Sequence, residues 1–79
     1  MQYPIEYRYL KLISFIRDTK EYLLNRNISL YCEIANITLD LNINDKDSVI
    51  EIENKVLNKL IEYNLLNFVR EYRLNLLNF

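Results

Sequence analysis

The chain has no glycine, no histidine and no tryptophan, and only one proline and one cysteine. Without glycine there is no phosphate-cradling loop of the Walker or dinucleotide-binding type. Without histidine, a Ser–His or Cys–His nucleophile pair is excluded. Cys32 cannot form an intramolecular disulfide and has no companions for a metal site. Beside Glu33 in an apolar stretch, it reads as a small core residue and not as a reactive thiol. The carboxylate pairs Asp45 with Asp47 and Glu51 with Glu53 lack a pocket-forming context, so they read as solvated acidic surface. The expectation is a non-enzyme without cofactor or metal.

Long apolar runs are also lacking, and none approaches the ~20 residues needed to cross a bilayer. The first residues, Met1-Gln-Tyr-Pro-Ile-Glu, lack the basic and apolar regions of a signal peptide. A single free cysteine fits a reducing interior, so a cytoplasmic location without membrane contact is expected. The abundance of Asn, Ile, Lys and Tyr suggests an AT-rich genome, such as that of a virus or plasmid.

What is present is a folded chain of 79 residues, 51% hydrophobic and 27% charged, which suits one domain and one small core. Such a core supplies little net stability, so a dimer interface would add useful burial. Tyr3, Tyr7 and Tyr9 and the apolar tail Leu74-Asn-Leu76-Leu77-Asn-Phe79 mark that interface in the sequence, making a homodimer the expectation.

Pro4 suits the first turn of a helix, and Tyr9, Leu12, Ile13, Ile16, Leu23 and Leu24 keep one side of it apolar. Asn25-Arg26-Asn27 closes it, which predicts a helix over about residues 5–25. Residues 28–43 read two ways. Leu30, Ile34, Ile37 and Leu41 have helical spacing behind a Ser29 cap, while residues 37–43 alternate like a strand, with a hairpin turn at Ala35-Asn36. The helix, over about 30–38, is favoured. Ser48-Val-Ile-Glu51 matches a capping box and starts a helix over about 48–63, with Val49, Ile52, Val56, Leu60 and Tyr63 along one stripe. In the tail, Phe68, Arg70, Tyr72, Leu74 and Leu76 have period two, whereas Leu65, Val69, Tyr72, Leu76 and Phe79 have helical spacing.

The run Leu57-Asn-Lys-Leu60-Ile-Glu-Tyr-Asn64-Leu65-Leu66, followed by two arginines among apolar residues, resembles the passage from recognition helix to wing in winged helix-turn-helix domains. Glu33-Ile34-Ala35 is similar to the first helix of many helix-turn-helix units. The resemblance spans about residues 10–75 and implies a mainly α fold with a small β wing, a single winged-helix-like domain over residues 1–79. It also implies a DNA-binding transcriptional regulator that reads double-stranded DNA as a homodimer. Asn54, Lys55 and Asn58 on the helix at 48–63 would then meet base edges and phosphates in the major groove. Arg70 and Arg73 would reach phosphates or the minor groove from the wing.

Charge points to an alternative. Residues 1–26 carry five basic and three acidic side chains, residues 27–53 one and six, and residues 54–79 four and two. DNA binders gather affinity by neutralising phosphates, and an acidic middle opposes that. The second expectation is therefore a protein-interaction module, an adaptor, inhibitor or nucleic-acid mimic, which binds a basic protein through Asp45, Asp47, Glu51 and Glu53 on its acidic 40–53 surface. A third reading, resembling a ribbon-helix-helix dimer, would turn Thr38, Asp40 and Asn42 toward a groove.

Overall fold

The computed structural model describes residues 5–42 and 44–77, so the readings placed on Tyr3, Pro4, Ile43 and Phe79 lie outside the described residues. Four α-helices follow one another: α1 (Ile5–Leu23), α2 (Ile28–Ile37), α3 (Lys46–Glu62) and α4 (Leu66–Leu77), with a short 3-10 turn at Thr38–Asp40 after α2. Among the described residues there is no strand. The expected β wing is absent, and the segment assigned to it is α4. The reason lies in the tail's double periodicity. Val69 and Tyr72, three apart, are buried, while Arg70 and Leu74 of the alternating set point to solvent. The helical set reaches the core; the alternating set has no neighbouring strand to pair with.

In α1 the buried residues are Leu12, Ile16, Thr19 and Leu23, a narrower stripe than the sequence suggests, since Ile13 and Leu24 are exposed. Leu30 and Ile34 of α2 join the same core as Val49, Ile52, Val56, Leu57 and Leu60 of α3. Both α2 and α4 pack on α1 and α3, yet no Cα of α2 comes within 8 Å of α4. The middle pair α1 and α3 thus carries the core. Cys32 does not belong to it; it is exposed on α2, contrary to expectation.

The helix ends depart from the sequence reading in instructive ways. Asn27, not Ser29, caps α2, its Oδ1 accepting from the Leu30 N–H at 3.1 Å. Asp45, not Ser48, caps α3, with Oδ1 accepting from the N–H groups of Asp47 and Ser48 at 3.1 and 3.2 Å. No capping box forms, because the Ser48 hydroxyl is used elsewhere. It donates to the Asp40 carbonyl at 2.9 Å and accepts from the Asn42 N–H at 3.2 Å, which ties the incoming loop to the first turn of α3. Residues 37–42, the described part of the alternating stretch, are therefore a helix end and a tight turn. The ribbon-helix-helix reading fails with it, since Thr38 and Asp40 lie in the 3-10 turn.

Asn64 ends α3 in the left-handed region, at φ 63°. Its N–H donates to the Ile61 carbonyl at 3.0 Å, and the Leu65 N–H donates to the Leu60 carbonyl at 2.9 Å. These bonds satisfy carbonyls left open at a helix C-terminus, a task usually given to glycine, which this chain lacks. Leu65 then packs against the core, and α4 starts one residue later.

Candidate functional site

The first turn of α3 faces the 3-10 turn across a shallow concavity of about 230 Å³. Asp40 from the turn and Asp45, Asp47 and Glu51 from the start of α3 line it, with Ile37, Ile52, Ser48 and Lys55 between them. Part of this acidity serves the fold. Asp45 caps the helix, and negative charge near a helix N-terminus is favoured by the macrodipole. The Lys55 ammonium reaches Glu51 at 2.9 Å, both being largely exposed. Among the described residues, Asp40, Asp45 and Asp47 have no ion-pair partner. The charges of Asp40 and Asp47, and the Asp45 oxygen not used in the cap, are left for solvent or for a ligand. No group of three or more potential metal ligands comes together among the described residues.

Glu53 is not part of this surface, contrary to the expectation from sequence. Only 3% exposed, it is held between three helices. Arg8 of α1 donates Nη2 to Oε1 at 2.6 Å and Nε to Oε2 at 3.3 Å, and the Tyr72 hydroxyl of α4 donates to Oε2. Position decides this: Glu53 falls four residues after Val49 and three before Val56, within the buried stripe of α3. That spacing is the signal the sequence offers. A buried carboxylate so partnered acts as a clamp joining α1, α3 and α4, and breaking such a pair costs about 3 kcal/mol or more.

A second, exposed cluster links α2 to the end of α3. The Tyr63 hydroxyl donates to Glu33 Oε2 at 2.6 Å, and Lys59 lies 3.5 Å from Glu33 and 3.0 Å from Glu62. The tyrosine hydrogen bond, helped by Lys59, lowers the Glu33 carboxyl below its ordinary range. Bonding to Glu62 raises the Lys59 ammonium, and bonding to Glu33 raises the Tyr63 hydroxyl. Each shift comes from a local partner on an open surface, which marks a surface network and not a reactive centre.

The residues expected to read DNA are all exposed, but on different elements. Asn54, Lys55 and Asn58 lie along α3, and Arg70 and Arg73 lie on α4, not on a wing. Lys55 is already paired with Glu51. Glu51, Asp47 and Asp45 occupy the end of α3 that a recognition helix would present first to the groove. Among the described residues no helix is long and apolar enough to cross a membrane. No family model, curated protein or solved structure matches the chain, so the likeness to winged helix-turn-helix domains rests on sequence pattern alone.

Proposed function

We propose that the chain is a non-enzymatic protein-interaction module that docks a lysine- or arginine-rich partner on the acidic concavity at the start of α3. The observation that carries this reading is the gathering of Asp40, Asp45, Asp47 and Glu51 around one recess with Ile37 and Ile52 in its lining. Three of these carboxylates have no ion-pair partner among the described residues, so a cationic ligand would replace water without breaking an existing pair. Clustered charge of one sign steers a basic partner from a distance, and the isoleucines offer the apolar contact that turns an encounter into a complex.

The same charge disfavours the regulator reading. Phosphates approaching Asn54 and Asn58 would meet Glu51, Asp47 and Asp45 on the same helix. DNA binding would have to draw on Arg70 and Arg73, carried by α4.

Substitution of Asp45 and Asp47 by Asn separates the two readings. The interaction reading expects weaker binding of a basic partner with the fold intact. The regulator reading expects tighter duplex binding, because two charges that repel phosphate are gone.

A further inference from the structure

On the other side of the 3-10 turn, a groove of about 450 Å³ runs between that turn and α1. Tyr9, Ile13, Ile16 and Leu41 give it an apolar lining; Arg17, loosely paired with exposed Asp18 at 3.5 Å, and Lys20, 5.4 Å from the Tyr31 ring centroid, add positive charge. Beside it stands Leu39, 78% exposed, the most exposed large apolar side chain among the described residues. Its chain neighbour Asp40 is also exposed. Thr38 and Leu41, which bracket this pair in sequence, both line the groove. An apolar-acidic knob therefore sits directly beside an apolar-basic groove.

The geometry points to a second copy of this chain as the occupant of that groove, with Leu39 of each copy seated in the groove of the other and Asp40 facing the other copy's Arg17 and Lys20. A two-fold interface must be self-complementary, and adjacent knob and groove on one surface meet that condition. Every favourable contact is made twice. The apolar part removes Leu39 from water, and the charged part fixes which copy surface fits which. A domain of 79 residues, whose own core is small, gains most from such added burial. The dimer takes Asp40 from the acidic concavity and leaves Asp45, Asp47 and Glu51 to the basic partner. It can therefore be tested on this protein alone, and its failure would leave the proposed partner binding standing.

The test is sedimentation equilibrium of the full chain with charge-swapped variants. Wild type should dimerise at micromolar concentration, and Leu39→Glu, at a solvent-exposed position, should weaken association at least about tenfold. Asp40→Lys alone should be monomeric, as should the double variant Arg17→Glu with Lys20→Glu. Mixing these two charge variants should restore a heterodimer, because both contacts are then complementary. Circular dichroism should show native helicity in each. A wild type that stays monomeric at hundreds of micromolar would overturn the proposal. So would a dimer unaffected by Leu39→Glu, or charge variants that fail to complement each other while folded.

Discussion

Tyr72 carries more of the structure than any other aromatic side chain among the described residues. It is 2% exposed, its ring lies 4.6 Å from that of Phe15 between centroids, and its hydroxyl donates to Glu53. Burial first, and then the bond to Glu53, push the hydroxyl well above its ordinary value of 10.0. The folded state therefore holds this proton more tightly than the unfolded chain does. The resulting stability is complete below the ordinary value and is lost as pH rises beyond it. Urea melts across the alkaline range should show unfolding free energy falling above that value. Tyr72→Phe should be less stable at neutral pH but show a flatter alkaline decline. Equal alkaline slopes in the two proteins would contradict this role. Thr19 poses the opposite case. Its hydroxyl is fully buried in α1 without a hydrogen-bond partner. Thr19→Val, which keeps the shape and removes the unmet polar group, should stabilise the fold by about 1 kcal/mol in urea melts. A destabilised variant would show that the hydroxyl is bonded after all.

Among the elements, α4 shows how far the sequence can be read. A turn at Asn64 is legible, because asparagine tolerates left-handed backbone where glycine is missing. The helix beyond that turn is not, since Leu65 to Leu76 fits period two and period 3.6 with overlapping residues, and only packing against α1 and α3 chooses between them. The extents of α1 and α3 are legible to within a few residues from their stripes. The caps of α2 and α3 are less so: Asn27 and Ser29, and Asp45 and Ser48, are all acceptable N-caps by type, and tertiary hydrogen bonds with Asp40 and Asn42 decide how Ser48 is used. The acidic concavity is half legible. Asp45, Asp47 and Glu51 belong to it as the sequence suggests, whereas Glu53 does not. The groove holding Ile13, Arg17 and Lys20 leaves no trace in the sequence, because it forms only when α1 meets the 3-10 turn. The Asn64 cap itself can be tested. Asn64→Ala should cost about 1 kcal/mol, because alanine pays the steric penalty of left-handed backbone without asparagine's local hydrogen bonding, while Asn64→Gly should be close to neutral. Equal thermal stability of the alanine and glycine variants would show that the cap contributes nothing.

At the scale of the whole molecule, the loss of the wing changes what the charges mean. On a winged helix, Arg70 and Arg73 would extend the basic surface beside a recognition helix. On α4 they instead sit among Glu71 and apolar residues, and four of the six acidic side chains in the chain's middle third, Asp40, Asp45, Asp47 and Glu51, gather at the start of α3. In the proposed function this acidic end recruits a basic protein surface and does not approach a duplex. The most direct measurement is parallel fluorescence titration of a labelled arginine- and lysine-rich peptide and a labelled duplex DNA at low salt, using wild type and the Asp45→Asn, Asp47→Asn variant. Salt-sensitive peptide binding by wild type, roughly tenfold weaker binding by the variant, and no duplex binding by wild type are the expected results. Duplex binding at micromolar wild type, tightened in the variant and paired with no peptide binding, would contradict the proposed function.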